Sequence, residues 1–315
     1  MSSAKFPGKI ACIGEAMVEL MLGNDRHATA DIGFAGDSLN TAIYLKRLLG
    51  ESADVSYITV LGNDPLSSRM MDFIGSESIS TEYIKRSSTR AIGLYAIETD
   101  EDGERTFSYW RSQSAARTLF QSNDSLDFSM LASFSVICFS AISLAILPAE
   151  VRGAFLQELA RLRRENGTVI VFDSNYRPAL WENQAQAQND VADAWRVADI
   201  ALPSIDDEQA LFEDNDEQAL LARLKSYGIN SGALKRGSRG PVSLGQSQDS
   251  LDPSILKAAE KLTIVDTTAA GDSFNAGYLS ASLSGSDEQT ALVAGHECAM
   301  RVISHSGAII PLEDW

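Results

Sequence analysis

The feature that most constrains this 315-residue chain is a repeated alternation of short apolar runs with longer stretches of helical periodicity. The runs IACIG (10–14), VSYITVLG (55–62), FSVICFSA (134–141), TVIVFDS (168–174) and ADIALPS (198–204) are nearly continuously apolar, as strands covered on both faces of a parallel sheet must be. Helical patterns occupy 38–49, 65–76, 148–165 and 187–197, and two more, 271–283 and 287–304, close the chain. Parallel neighbours need crossover connections, which are almost always right-handed. The pattern therefore predicts the α/β class: one three-layer α/β/α domain over 1–315 with a mostly parallel central sheet. Ligands of such sheets bind outside the carboxyl ends of the strands.

One segment breaks the alternation. Residues 91–111, AIGLYAIETDEDGERTFSYWR, have period-two apolarity on both sides of the turn-forming DEDG and no helix after it, which reads as a β-hairpin. With MVELML at 17–22 and the segment around 31–35 it predicts a small antiparallel β lid, discontinuous in sequence, built from about 15–36 and 91–111. A flap over a cleft excludes water from a phosphoryl-transfer site. The alternative is an extension that pairs with a second subunit, giving a homodimer through the lid, and exposed strand edges make the two uses compatible.

Charge narrows the partners. Against 43 Asp plus Glu stand 26 Lys plus Arg, a formal net charge of −17, which repels nucleic acid and anionic membrane. The same field opposes an anionic substrate, so a phosphate or carboxylate site has to be assembled from a few local cations and backbone N–H groups. Cys12, Cys138 and Cys298 are widely separated in apolar or helical contexts, and the three histidines show no paired spacing. They read as buried thiols of a reducing compartment without a structural zinc. The start MSSAKFPGK runs into IACIGE without an apolar export segment, and no window is long enough to span a bilayer, so a cytoplasmic location is expected.

The chemistry concentrates in DTTAAGDSFNAGYL, Asp266 to Leu279. Ala269, Ala270 and Gly271 are small residues that precede a helix with Asp272 in its first turn. A helix N-terminus offers unpaired N–H groups and partial positive charge to a phosphoryl group, and Asp272 beside it could take a proton from an attacking hydroxyl. Read alone, the tetrapeptide fits an ordinary capping acid after an ordinary turn equally well. No G-x-x-x-x-G-K-[ST] or strand-linked G-x-G-x-x-G occurs, which leaves P-loop phosphotransferases and dinucleotide dehydrogenases without support.

The whole segment, through the small Ala276 and Gly277, resembles the C-terminal signature of the ribokinase-like (PfkB) carbohydrate kinases. GFAGDSLNTAIYLKRLLG at 33–50 is similar to that family's N-terminal substrate loop, with Gly36, Asp37 and Asn40 at the matching positions. GLYAIETDEDGERTFSYWR, SAISLAIL, NYRPALW and VDTTAAGDSFNAGYL occur in the order found in the family's 2-keto-3-deoxygluconate branch. Ala269, where many members have Gly, points to the same branch. The resemblance implies transfer of phosphate from ATP, with Mg2+, to the 6-hydroxyl of that sugar acid, and Asp272 as the base.

It also implies substrate contacts from Tyr95, Tyr109, Arg111 and Arg177. Arg grips a carboxylate bidentately, which a sugar acid requires and a neutral sugar does not. Nucleotide contacts are implied for Asn175, Arg177, Ser204, Lys235, the loop of Gly237, Ser238 and Gly240, Ala270, Gly271, and His296 on the last long helix, where relatives often have Asn. Asp207 and Glu208 are candidates for indirect Mg2+ ligation, since Mg2+ keeps several waters. Asp266 and Thr268, with the loop at Ser306 and Gly307, resemble segments that hold a monovalent cation such as K+ in some relatives. Each of these residues also has a bland reading as strand packing, a surface turn or a solvated helix start. The competing functions are a kinase for ketodeoxygalactonate or fructose and a non-catalytic sugar-acid sensor. Substrates that differ at one hydroxyl are poorly separated by sequence.

Overall fold

The computed structural model describes residues 8–23, 29–99, 105–122, 125–245, 251, 255 and 263–315. The five predicted runs become β1 (Lys9–Ile13), β4 (Asp54–Ile58), β11 (Val136–Ser140), β12 (Val169–Asp173) and β13 (Ile200–Leu202). They form one all-parallel sheet of order β13-β12-β11-β1-β4. The run at 55–62 divides at Thr59: β5 (Val60–Gly62) leaves the sheet to pair with β6 (Lys85–Ser87). Apolar continuity reports burial but not the partner, so the division was not visible in sequence.

Side-chain alternation splits the core into two layers. Ala11, Ile13, Ile137, Phe139, Ile170 and Phe172 face one side, where α3 (Ala141–Ala145), α4 (Ala149–Asn166), α5 (Gln184–Val197), α6 (Ile205–Phe212) and α7 (Glu217–Ser226) cover them. Ile10, Cys12, Val55, Tyr57, Cys138 and Val171 face the other, against α1 (Asp37–Leu49), α2 (Pro65–Ser76) and the helices Ala270–Leu283 and Glu288–Ile303. Each fully buried large side chain contributes roughly 1.5–3 kcal/mol, and the three thiols are all buried within these layers. A Cβ on Gly277 would lie 2.3 Å from the Ala294 carbonyl oxygen, so the last two helices pack this closely only because that position is glycine.

The lid is a four-stranded sheet of order β3-β2-β7-β8, from β2 (Met17–Leu22), β3 (Ala30–Ala35), β7 (Gly93–Thr99) and β8 (Arg105–Trp110). Its two hairpin pairs are antiparallel, as expected, but β2 and β7 in the middle are parallel. Both hairpins leave the main domain in the same direction, so their first strands meet side by side. The DEDG turn lies outside the described residues. Short ladders complete the structure: β9 (Gln121–Ser122) with β10 (Ser125–Leu126), and β14 (Ala233–Leu234) with β15 (Val242–Ser243). Among the described residues no helix is long and apolar enough to cross a membrane.

Candidate active site

The carboxyl ends of β1, β11 and β12 deliver Glu15, Ser140 and Asp173 to one rim, and the N-termini of α1 and of the helix Ala270–Leu283 meet there. The chain enters α1 through Gly36, where a Cβ would sit 2.3 Å from the Glu15 carbonyl oxygen. Only glycine permits that approach. The Asp37 carboxylate accepts hydrogen bonds from the Ser140 hydroxyl and from Asn175 Nδ2 at 3.0 Å. One turn on, Asn40 Nδ2 donates to Asp272 Oδ2 at 2.8 Å, and Thr41 Oγ1 donates to the Asp272 carbonyl at 3.3 Å.

Asp272 itself is buried. Burial first, and the negative charge of Asp37 second, push its carboxyl up to about 7, which suits a proton acceptor at neutral pH. Asp37 is likewise raised, mainly by burial. Ahead of Asp272, Ala269 takes the left-handed conformation with φ 60°, which turns the chain sharply into Ala270 and Gly271. No side chain caps this helix, whereas α2, α5, α7 and the last helix are capped by Asp64, Asn183, Asp216 and Asp287. An uncapped N-terminus leaves its first N–H groups to a ligand.

Lys235 closes this end. Its Nζ lies 2.8 Å from Asp173 Oδ1 and 3.0 Å from Asn275 Oδ1, and a Cβ on Gly271 would be 3.6 Å from it. Beyond β14, Gly237 (φ 57°) and Gly240 (φ 72°) bracket Ser238 in a tight loop, closed by Arg236 Nε donating to the Gly240 carbonyl at 2.9 Å. Ser204 starts α6 without using its hydroxyl as a cap, and its N–H donates to Ser174 Oγ at 2.8 Å.

At the lid end, Tyr95 and Tyr109 are direct cross-strand partners with ring centroids 5.8 Å apart. Tyr95 is buried and donates its hydroxyl to Glu19, while Tyr109 is exposed. Arg111, expected as a substrate contact, is buried against Glu15, which takes both Nε, at 2.8 Å, and Nη2 on one carboxylate oxygen. Among the described residues Nη1 has no acceptor. Arg177 is half-exposed, with Nη1 on the Tyr176 carbonyl at 2.8 Å and on Asp207 at 3.2 Å.

Glu208 does not meet its expectation as an indirect Mg2+ ligand. It is buried on the opposite face of α6, where it accepts from Trp195 Nε1 at 3.2 Å and pairs with Arg223 at 2.8 Å. The helical step of about 100° between neighbours sends Asp207 and Glu208 to different sides, and only Asp207 stays with Arg177. Burial raises the Glu208 carboxyl to about 7. Asp266 Oδ1 accepts from the Thr268 N–H and hydroxyl at 3.0 and 2.7 Å, and Oδ2 from the Gly307 N–H at 2.8 Å, tying the turn before Ala269 to the C-terminal loop. His296 is half-buried, with Nε2 enclosed and unpartnered among the described residues, and burial lowers its pKa.

Sequence reasoning missed Glu15, Asp173 and Asn275. Each carried a signal: Glu15 directly follows the apolar run IACIG, Asp173 ends VIVFD, and Asn275 follows Asp272 by about one helical turn.

The chain that carries this site matches the pfkB family carbohydrate kinase model over residues 8–315. The chain belongs to that family. It is 43% identical over 307 residues to the 2-dehydro-3-deoxygluconokinase of Dickeya dadantii strain 3937, covering 96% of this chain and 97% of the relative. The protein of the same name from Escherichia coli K12 is 40% identical over 308 residues, covering 97% and 98%. Among solved structures, 2-dehydro-3-deoxygluconokinase of Thermotoga maritima superposes with a TM-score of 0.79 at 21% identity, covering 96% of this chain and 94% of that one. At that identity the likeness speaks for the ribokinase-like fold.

Proposed function

We propose that this pfkB-family kinase transfers the terminal phosphoryl group of ATP to the 6-hydroxyl of 2-keto-3-deoxygluconate, giving 2-keto-3-deoxy-6-phosphogluconate. One observation carries the reaction: Asp272, buried and with its carboxyl raised to about 7, lies in the first turn of an uncapped helix. A phosphoryl group held by the N–H groups at Gly271 meets the Lys235 ammonium, while Asp272 takes the proton of the attacking hydroxyl. Gly36, Asp37 and Asn40 bind the sugar hydroxyls from α1. Arg111 Nη1, Arg177 and the two tyrosines recognise the carboxylate end, a role consistent with full-length relatives that are 2-dehydro-3-deoxygluconokinases by name.

The nucleotide lies along Asn175, Ser204, Lys235 and the 237–240 loop, and extends toward His296. Mg2+ supplies charge neutralisation to the phosphates. Mg2+ is held largely by phosphates and water, and Asp207, beside Arg177, is the carboxylate that fits it. The loop of Asp266 and Thr268 is the proposed place of a K+ ion. Ile32, Tyr109 and Trp110 are exposed on the lid, which supports pairing of two subunits through it.

The test is a coupled ADP-release assay on 2-keto-3-deoxygluconate, its galactonate epimer, fructose and ribose. The highest kcat/KM is expected for 2-keto-3-deoxygluconate. Preference for a neutral sugar overturns the substrate assignment, and absence of turnover on all four overturns the kinase reading in favour of a sensor.

A further inference from the structure

Asp173 belongs to no part of the reaction derived so far, yet it is buried at the centre of the site. It ends β12 and uses both carboxylate oxygens: Oδ1 on Lys235 Nζ at 2.8 Å and Oδ2 on Asn275 Nδ2 at 2.7 Å. Asn275 Oδ1 returns to Lys235 Nζ at 3.0 Å. Three side chains from a central strand, the Asp272 helix and the segment after β14 thus close a ring of hydrogen bonds. Asp173, Asn275 and Asp37 also line one cavity of about 20 Å³. An ammonium has three donors. Two are taken by the ring, and the third is left on the side of Gly271.

We infer that Asp173 is a positioning residue that fixes the Lys235 ammonium at the phosphate-receiving end of the Asp272 helix. The inference rests on the kinase reading above and adds a residue to it. A lysine stem has rotamer entropy to lose, so an unclamped ammonium beside Gly271 would meet the phosphate only part of the time. The clamp makes that loss during folding and not during binding.

A second consequence distinguishes this role from simple packing. The groups facing Asp272 are Asp37 and Asn40 from α1, Asp173 from β12 and Lys235 from beyond β14, with the Tyr44 and Tyr95 phenols nearby. The Asp173 charge helps to keep Asp272 protonated to higher pH, and Lys235 opposes it. Replacing Asp173 by a neutral side chain removes the first influence, while burial, Asp37 and Lys235 act as before. Loss of that influence moves the Asp272 carboxyl downward.

The experiment compares wild type with Asp173→Asn, Lys235→Met and the double variant, reading calorimetric affinity for a non-hydrolysable ATP analogue, KM for ATP and for the sugar acid, and kcat against pH. For Asp173→Asn, nucleotide affinity is expected to fall about tenfold, with KM for the sugar acid within about twofold. Its acid limb of kcat should move down by roughly half a pH unit or more. The double variant should bind nucleotide no more weakly than Lys235→Met, because the two act as one unit. Unchanged nucleotide affinity in Asp173→Asn, additive losses in the double variant or an unmoved acid limb would each overturn the inference. If Asp173→Asn fails to fold, Asn275→Ala removes the other arm: a several-fold loss of nucleotide affinity is expected with the acid limb in place, and wild-type affinity is the overturning result. Because binding is read without turnover, an inactive wild type would sink the kinase reading and leave the nucleotide-affinity comparison to decide the positioning role.

Discussion

Asn40 Nδ2 lies 2.8 Å from Asp272 Oδ2, joining residues 232 positions apart. The bond aims the carboxylate from the α1 side. Since Asn can only donate through that nitrogen, it favours the ionised acid against the burial that opposes it.

Asp272→Asn is accordingly expected to fold, to bind 2-keto-3-deoxygluconate within about threefold of wild type, and to lose roughly 10²–10⁴ in kcat. In the wild type, kcat should fall below pH 7 as the base becomes protonated. A variant that retains near-normal kcat would exclude Asp272 as the base.

The same carboxylate bears on stability. Its folded pKa of about 7 stands above the ordinary Asp value of 3.8, so ionisation is disfavoured in the native state. The penalty is absent below the unfolded pKa, grows as pH rises through the interval and is complete above 7. Removing the charge should therefore stabilise the protein. At about 1.4 kcal/mol per unit, the gain for Asp272→Asn at pH 8 is at most on the order of 4 kcal/mol. It should shrink toward zero near pH 4. Thermal melts of both proteins across pH 4–8 read this directly, and a gain that is independent of pH would contradict the assigned burial of the charge.

Arg111 and Glu15 form a buried pair. Arg111→Ala strands Glu15 without a partner, which typically costs about 3–5 kcal/mol, so that variant confounds folding with recognition. Arg111→Lys keeps a cation for Glu15 but loses the planar fork. It should raise KM for the sugar acid by about tenfold, with fructose changed by less than about twofold. Equal changes on both substrates would argue against carboxylate recognition by this residue.

These residues also mark the limit of what the sequence disclosed. Periodicity gave the parallel strands, the six longest helices and the lid strands, because burial on one or two faces writes itself into spacing, but the shorter α3, α6 and α7 went unread. Asp272 and Asn40 were readable from motif resemblance. The pairing of Arg111 with Glu15 was not, since nothing local to either segment states that residues 96 positions apart will meet. Glu208 misled for the same reason: an acid at the start of a helix is solvated far more often than enclosed with Arg223 and Trp195. Asp173 went unnoticed because one carboxylate at a strand end has no spacing signature until Lys235 and Asn275 are folded around it.

Ala269 offers a test of the turn that presents the helix. Its φ of 60° lies in the left-handed region, which costs an L-residue with a Cβ roughly 1–2 kcal/mol relative to glycine. Glycine gives back part of that advantage through greater freedom in the unfolded chain. The net expectation for Ala269→Gly is a Tm equal to or slightly above wild type, with kcat preserved. Ala269→Val places a β-branched side chain where such residues are outliers. It should lower Tm and, by displacing the N–H groups of Ala270 and Gly271, reduce kcat more than it raises KM for the sugar acid. Differential scanning calorimetry with steady-state kinetics on the pair separates the two effects. A valine variant with wild-type kcat would mean that the turn does not position the phosphoryl group.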